Sequence, residues 1–214
     1  SNPFVGPRPL QQGETLYGRS REIRELYNRL QSRRIVVLHS PSGAGKSSLV
    51  QAGLIPRLRE AHYDVWKPIR VNLDPRGLDG VPAGTNRYLL SALVSLEEEL
   101  QPERRRSPAQ LAGMDFLSYL NSRPRRKGRA AQPAVLLFDQ FEEILTTAPR
   151  AVEEKKAFFR EIGEALNAEH YWALFIIRED YLAAFAPYRE YIPTHMSTTF
   201  RLDLLALEGA KEVA

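Results

Sequence analysis

The chain has 214 residues, of which 43% are hydrophobic and 26% are charged, enough to bury one sizeable core in a single α/β domain. It contains no cysteine, which excludes disulfides and thiolate metal sites and favours a reducing, cytoplasmic location. Its 4 histidines lack the spacing of metal ligands, and its longest apolar run, residues 171–177, is far shorter than the roughly 20 residues of a membrane helix. We therefore expect a cytoplasmic domain that makes no contact with membranes.

The positive charge is concentrated in one part of the chain. The net charge is +4, but residues 101–133 hold eight basic and two acidic residues, a net charge of +6 that leaves −2 for the remainder. The eight basic residues are Arg104, Arg105, Arg106, Arg123, Arg125, Arg126, Lys127 and Arg129. This basic segment is either a pair of solvated loops around a short helix or a surface for nucleic acid or another acidic partner.

Short apolar runs alternate with amphipathic stretches along the chain. Ser20 is positioned to cap a first helix, whose apolar residues recur at helical spacing. The patterns predict strands at 34–39, 65–71, 134–139, 172–178 and 199–204, and helices at 46–60, 86–100, 109–121, 153–167 and 179–186. Residues 134–138 and 173–177 are apolar at every position, as strands covered on both faces must be. We predict an α/β fold in which helices cover both sides of a five-stranded, mostly parallel sheet.

The stretch "LHSPSGAGKSSL", residues 38–49, joins the first predicted strand to a helix. Gly43 and Gly45 let the backbone turn its amides towards an anion at the positive end of the helix. Lys46 can reach the β and γ phosphates of a nucleotide, and the Ser47 hydroxyl can bind the accompanying Mg²⁺. The first position of the motif is serine rather than glycine. The residues expected to bind phosphate are Ser40, Pro41, Ser42, Gly43, Ala44, Gly45, Lys46, Ser47 and Ser48.

Acidic residues follow the predicted strand 134–139. Asp139 lies at the carboxyl end of this strand, where ligands bind in open α/β sheets, and it is either a second Mg²⁺ ligand or a helix cap. Glu142 and Glu143 come next; one of them orients an attacking water, or both are ordinary first-turn acids of a helix. The sequence does not choose between Glu142 and Glu143.

Arg178 ends the fourth predicted strand at the same edge of the sheet. Its guanidinium group is suited to contact a γ phosphate and so to report whether that phosphate is present. The alternative is an ordinary ion pair with Glu179, Asp180 or another carboxylate.

Five segments together carry a family resemblance: "NPFVGPRPL", "LYGRSREIREL", "SPSGAGKSSLVQAGLIPRL", "VLLFDQFEEILT" and "IIREDYLAAF". In this order they resemble the STAND class of signal-transduction ATPases, and in particular the novel STAND NTPase 1 group, related to the NACHT and apoptotic ATPases. The resemblance extends from Asn2 to about Leu207. It implies a P-loop NTPase three-layer sandwich with an AAA+/STAND-like strand order.

The resemblance also implies roles for particular residues. Gly18 and Arg19, after the hydrophobic pair Leu16 and Tyr17, match a Gly-Arg motif that approaches the nucleotide from the N-terminal side. Residues 40–48 match the Walker A motif and residues 139–143 the Walker B motif, with Gln140 in place of a small residue. Lys46, Glu142, Glu143 and Arg178 are then the catalytic candidates, and Ser47 and Asp139 the metal ligands.

The resemblance further implies how the chain is divided. Residues 1–33 are expected to be an extended segment and a helix carrying the Gly-Arg motif, 34–207 the NTPase core, and 208–214 the start of a truncated helical lid. We expect the chain to be a fragment of a longer protein that also has sensor and effector domains. In this class ADP holds a closed form, and exchange for ATP permits oligomerisation.

Three functions follow from these features. The first is a nucleotide switch with slow, Mg²⁺-dependent ATP hydrolysis, in bacterial signalling or defence, acting as a homo-oligomer. The second is a DNA-binding AAA+ ATPase of the origin-recognition type, suggested by the Gly-Arg motif and the basic segment. The third is a small-molecule kinase. The sequence argues against this function because it shows no site for a phosphate acceptor.

Overall fold

The computed structural model describes residues 18–123 and 132–204, in which strands and helices alternate. The strands are β1 (Ile35–Ser40), β2 (Asp64–Val65), β3 (Ala134–Phe138), β4 (Tyr171–Arg178) and β5 (Thr199–Arg201). The α-helices are α1 (Ser20–Arg33), α2 (Lys46–Ser48), α3 (Ile55–Glu60), α4 (Arg87–Glu97), α5 (Pro108–Leu111), α6 (Phe116–Ser122), α7 (Glu143–Thr146) and α8 (Val152–Asn167). A π-helical stretch, Leu49–Leu54, joins α2 to α3, and 3₁₀ segments lie at Pro102–Arg104, Glu179–Tyr191 and Pro193–Met196.

Several predicted features lie outside the described residues. They are Leu16, Tyr17, Arg125, Arg126, Lys127, Arg129, most of the segment 1–33 and all of 208–214.

The five strands form one sheet in the order β2-β3-β4-β1-β5, and every described pairing is parallel. Residues 35–40 of β1 lie opposite residues 173–178 of β4, and β3 pairs with the other edge of β4. The carboxyl end of β4 therefore lies between those of β1 and β3. The predicted five-stranded α/β fold is confirmed.

The central strands are buried on both faces because helices cover each side of the sheet. On one side, residues such as Val37 and Phe175 pack against α4, α6 and α8; on the other, residues such as Val36 and Leu174 pack against α1, α3 and the π-helical stretch. Alternate positions of a strand face opposite sides, so a strand between two cores must be apolar throughout. This three-layer packing explains the uninterrupted apolar runs. Among the described residues, no helix is long and apolar enough to cross a bilayer.

The predicted strand 65–71 is wrong in length. β2 pairs with β3 over only two residues, and Ile69 adds an isolated bridge to Phe138. Pro68 separates the two pairings because proline has no N–H to donate to a neighbouring strand. The predicted strand 199–204 is also shorter than expected, since only Thr199–Arg201 forms the ladder.

Three helix predictions also need correction. Ser20 does not cap α1: it is the first helical residue, and Arg19 occupies the cap position without a side-chain cap hydrogen bond. The predicted helix 109–121 is two short helices, since Asp115 begins α6 by accepting a hydrogen bond from the Ser118 N–H. The predicted helix 179–186 is part of a 3₁₀ segment that extends to Tyr191.

The basic segment is not simply a pair of solvated loops. Arg123 is buried, donates to the Leu96 carbonyl at 2.7 Å and pairs with Glu99 at 2.8 Å. Arg106 pairs with buried Glu97 at 3.4 Å, and Arg105 donates to two backbone carbonyls. These arginines hold the end of α4 to the chain before and after α6, whereas Arg104 is exposed.

Candidate functional site

The loop between β1 and α2 depends on two glycines. Gly43 and Gly45 have φ angles of +79° and +85°, in the left-handed region that other residues rarely adopt. A Cβ atom at either position would meet nothing within 4 Å, so backbone conformation, and not space, requires glycine there. Gly45 is also the cap of α2, and its carbonyl accepts the N–H of Leu49.

Lys46 is held by the serine that replaces the first glycine of the motif. The Lys46 ammonium donates to the Ser40 hydroxyl at 2.8 Å and to the Ser40 carbonyl at 3.3 Å. Burial lowers the pKa of Lys46, although the nearby Glu142 carboxylate opposes this shift. Ser40 therefore provides an oxygen that holds the ammonium at the mouth of the loop, which a glycine there would lack.

Ser47 and Asp139 meet across the space between β1 and β3. The Ser47 hydroxyl lies 3.4 Å from Asp139 Oδ1, and the Asp139 side chain is almost fully buried. Asp139 accepts the N–H of Gln140 at 3.0 Å, whereas Glu142 occupies the cap position of α7, so the helix-cap alternative for Asp139 is not observed.

A hydroxyl and a carboxylate oxygen this close fit Mg²⁺, which prefers oxygen ligands and is commonly held by one or two carboxylates together with phosphate. Among residues 18–123 and 132–204, no group of three or more His, Cys, Asp or Glu side chains could hold a metal by itself. The Ser47 and Asp139 oxygens fit a metal that arrives with a nucleotide.

The two adjacent glutamates enter different surroundings. Glu142 is buried beside the loop, and its Oε2 accepts the Arg178 N–H at 3.2 Å. Burial raises the pKa of the Glu142 carboxyl. Glu143 instead pairs with Arg70 at 3.0 Å. The structure thus brings Glu142, and not Glu143, to the loop at residues 42–48.

Phe141 fixes the turn that separates these acids from Asp139. It is fully buried, its ring lies 5.0 Å from that of Phe175 and 5.5 Å from that of Phe185, and its N–H donates to the Ile176 carbonyl at 2.9 Å. Gln140, just before it, has a φ of +49°, which reverses the chain within a single residue.

Arg178 forms the ion pair that the sequence offered as an alternative, and its contact with a γ phosphate stays a prediction. It lies at the edge of the cavity beside the loop, and its guanidinium forms an ion pair with Asp180 at 2.7 Å. Its side chain is 41% exposed, so this pair can exchange for another anion at little cost.

Gly18 and Arg19 lie behind the loop. Gly18 has a φ of +69°, and the buried Arg19 guanidinium donates to the Ala44 carbonyl of the loop at 3.2 Å. Arg19 therefore contacts the backbone of the loop, and the approach of Gly18 and Arg19 to a nucleotide from the N-terminal side stays a prediction.

These groups surround a cavity of about 490 Å³ at the carboxyl edge of the sheet. Its lining includes residues 42–48, Asp139, Glu142 and Arg178. Backbone amides, two cations and two carboxylates thus converge on one open space, an arrangement suited to a polyphosphate together with a divalent cation.

Arg70 is a residue of this region that the sequence analysis missed. It follows the Ile69 bridge, donates to Gln140 and Glu143, and lies 3.9 Å from Asp139. It also lines a second cavity, of about 430 Å³, which shares Asp139 with the first. A basic residue at the end of the predicted strand 65–71 was the signal that could have revealed it.

A family model described as Novel STAND NTPase 1 matches residues 3–213 of the chain. No curated protein matches this chain. Among solved structures, the chain is similar to the Walker-type ATPase PABY2304 of Pyrococcus abyssi, with 16% identity, a TM-score of 0.58 and coverage of 95% of this chain and 58% of that one. The ADP form of the Aeropyrum pernix ORC2 protein also matches, with 16% identity, a TM-score of 0.49 and coverage of 100% of this chain and 53% of that one.

The chain therefore spans less than two thirds of the length of either of these structures. At this identity the Pyrococcus likeness supports the fold alone.

Proposed function

The chain belongs to the Novel STAND NTPase 1 family, and on that basis we propose that this NTPase domain is the ATP- and ADP-binding switch of a larger signal-transduction ATPase. The observation that carries the proposal is the convergence of Lys46, Ser47, Asp139 and Glu142 on one cavity beside the glycine-containing loop. These residues come from the ends of two strands that are not sheet neighbours, and the parallel sheet brings them to the same edge.

The loop and Lys46 bind the phosphates in this proposal. Residues 42–45 surround the phosphates with backbone amides, and Lys46 leaves the Ser40 oxygens to contact the β and γ phosphates. Because burial already lowers the pKa of Lys46, its ammonium gains more from a dianionic partner than an exposed lysine would.

Ser47 and Asp139 are the residues that would hold Mg²⁺. When bound, the ion neutralises phosphate oxygens and helps to orient them for in-line attack. The backbone N–H of Gln140 donates to Asp139 Oδ1, and the second oxygen, Oδ2, lies 3.9 Å from the Arg70 guanidinium.

Glu142 is our candidate for the residue that orients the attacking water, and Arg178 for the one that contacts the γ phosphate. In the structure the Glu142 carboxylate accepts the backbone N–H of Arg178, and the Arg178 guanidinium is paired with Asp180. The Arg178 guanidinium must leave Asp180 before it contacts a γ phosphate, whereas Glu142 uses only Oε2 for its hydrogen bond. We infer slow turnover from the family, as suits a switch.

The remaining parts of the proposal rest on the family. ADP would hold a closed form, and ATP would permit a homo-oligomer to assemble through this domain, with sensor and effector domains in other parts of the protein. The setting we propose is bacterial signalling or defence.

The proposal is tested by measuring phosphate release and oligomeric state on the same preparation. We expect Mg²⁺-dependent release at about 10⁻² s⁻¹ or slower, the range of nucleotide switches, and a larger particle with a non-hydrolysable ATP analogue than with ADP. Turnover at tens per second, or phosphate passed to a small molecule and not to water, would contradict a switch. The same measurements on the full-length protein include the proposed sensor and effector domains, and particles of equal size with both nucleotides there would contradict a switch.

The DNA-binding alternative gains little from the described part of the basic segment. Arg105, Arg106 and Arg123 are all engaged by carbonyls or carboxylates of the chain itself. Salt-dependent binding of duplex DNA that an Arg104→Ala substitution weakens would restore this alternative.

A further inference from the structure

We propose that Arg19 is a positioning residue that ties the phosphate-binding loop to the chain just after β5, and that it acts on bound nucleotide only through the loop. The inference rests on the proposed function, because it concerns how the same nucleotide site is held and how its occupancy is passed on.

The contacts of Arg19 join three separate parts of the chain. Its Nη2 donates to the Ala44 carbonyl at 3.2 Å and to the Asp203 carbonyl at 2.8 Å, while Nη1 pairs with Glu22 at 2.8 Å. The side chain is only 4% exposed. A buried guanidinium whose donors are directed at carbonyls and one carboxylate is fixed in orientation, since its N–H groups form a rigid planar fork.

The loop needs such a restraint at Ala44. This residue stands between two glycines in the left-handed conformation, and glycine gives the backbone more freedom than any other residue. The Ala44 methyl is packed among the apolar residues on the α1 side of the sheet, and its carbonyl is the one that Arg19 binds. Arg19 therefore holds the middle of the cradle from behind, away from the cavity.

The other end of the link is attached to the sheet. The Leu202 N–H donates to the His39 carbonyl at 2.8 Å, immediately before the first residue of the loop motif, and Arg201 pairs with Glu179 at 3.0 Å. Asp203, which follows, presents its carbonyl to Arg19. A shift of the loop on binding phosphate is thus transmitted to residues 201–203 through one guanidinium.

A direct contact between Arg19 and nucleotide predicts different behaviour. In that case the guanidinium would line the cavity, but its two terminal nitrogens are both bonded to protein oxygens behind the loop. A substitution that keeps the charge would then rescue binding, and residues 201–203 would not respond to the ligand.

The test compares Arg19→Ala and Arg19→Lys with Arg21→Ala in the full chain. Arg21 is the matched control because it lies two residues along and forms an exposed ion pair with Glu25 at 2.8 Å. Affinities for Mg-ADP and for tripolyphosphate are measured by calorimetry, and hydrogen exchange at Leu202 is followed with and without ADP.

We expect Arg19→Ala to weaken binding of both ligands by roughly tenfold, a size typical of couplings that act through another group, and Arg21→Ala to change neither. ADP should slow exchange at Leu202 in the parent chain, and this effect should be lost in Arg19→Lys, which keeps the charge but not the fork. If ADP binding falls and tripolyphosphate binding does not, Arg19 contacts the nucleoside and the proposal is wrong. It is equally wrong if Leu202 responds to ADP in Arg19→Lys as in the parent.

The two proposals can fail separately. Unchanged ADP affinity in Lys46→Ala would overturn the proposed function, whereas a loss in Lys46→Ala with none in Arg19→Ala would overturn only the role of Arg19. If Arg19→Ala does not fold, Arg19→Lys and the exchange measurement decide the question.

Discussion

Glu142 and Glu143 are adjacent, yet their side chains leave the chain in different directions. Glu142 lines the cavity with Lys46 and Arg178, while Glu143 is turned towards Arg70 on the β2 side. Glu142 lines the cavity beside the loop and Glu143 does not, so Glu142 is the better candidate for orienting a water there.

We predict that Glu142→Gln lowers ATP turnover by about 10²- to 10⁴-fold, the usual contribution of a positioned general base, and leaves ADP affinity nearly unchanged. Glu143→Gln should lower turnover less than tenfold, because its main contact is the ion pair with Arg70. Phosphate release and calorimetry on both variants check this. The reverse order of effects would assign the base to Glu143.

The pH dependence of turnover provides a control on the same assignment. Burial raises the pKa of Glu142 above its ordinary value of 4.5. As the pH is lowered, the carboxylate is therefore protonated, and kcat/KM begins to fall, before the pH reaches 4.5. The sign for stability is opposite: the folded chain binds this proton more tightly, so the protonated carboxyl favours folding at low pH and that contribution is lost as the pH rises through the raised pKa.

Substitutions of Asp139 and Arg178 test the proposed metal site and the proposed γ-phosphate contact separately. Asp139→Asn should weaken the Mg²⁺-dependent part of binding for ADP and ATP alike, because Asp139 would supply a carboxylate ligand to an ion that accompanies either nucleotide. Arg178→Ala should leave ADP affinity nearly intact but lower the preference for ATP and the rate of hydrolysis. Both affinities are to be measured with and without Mg²⁺. An equal loss of ADP and ATP binding in Arg178→Ala would contradict the γ-phosphate contact and leave Arg178 only its ion pair with Asp180.

At the scale of elements, the apolar pattern predicted the buried strands. It misjudged the length of elements that a proline or a glycine interrupts. β3 and β4 were readily found because every position is apolar. β2 was overestimated because Pro68 lies inside an otherwise suitable run, and the helix at 109–121 was joined across Gly113 because its apolar spacing continues through the break. Backbone breaks of this kind leave hydrophobic periodicity almost unchanged.

The end of α4 depends on a buried arginine. Arg123 bonds the Leu96 carbonyl, pairs with Glu99 and stacks over Trp66, with its guanidinium carbon 4.4 Å from the ring centroid. We predict that Arg123→Ala lowers the free energy of unfolding by about 2 to 4 kcal/mol, because a buried carbonyl and carboxylate lose their partner.

Arg104→Ala is the matched control, since this arginine belongs to the same cluster but is exposed, and it should change stability by less than about 0.5 kcal/mol. Urea denaturation measures both. Equally small changes in the free energy of unfolding for both variants would show that Arg123 contributes no more than a solvated charge.

At the scale of the whole molecule, strand order decides which residues meet, and a single sequence does not give that order. The motif residues were identifiable because each follows an apolar run, but their distances follow from β4 lying between β1 and β3. Arg19 and Asp203, 184 residues apart, are joined by a hydrogen bond that no local pattern indicates. The partners of Arg70, which are Asp139, Gln140 and Glu143, likewise follow a strand that is distant in sequence.

The central claim is that this edge of the sheet binds nucleotide phosphates, and calorimetric titration of Mg-ADP into the parent chain and Lys46→Ala tests it most directly. A charge-assisted contact in a partly desolvated loop contributes on the order of 2 to 3 kcal/mol, so affinity should fall by about 30- to 150-fold. Lys67→Ala, which removes a lysine in an exposed pair with Glu98, is the control and should bind as the parent does. Equal ADP affinity in the parent and in Lys46→Ala would contradict the account.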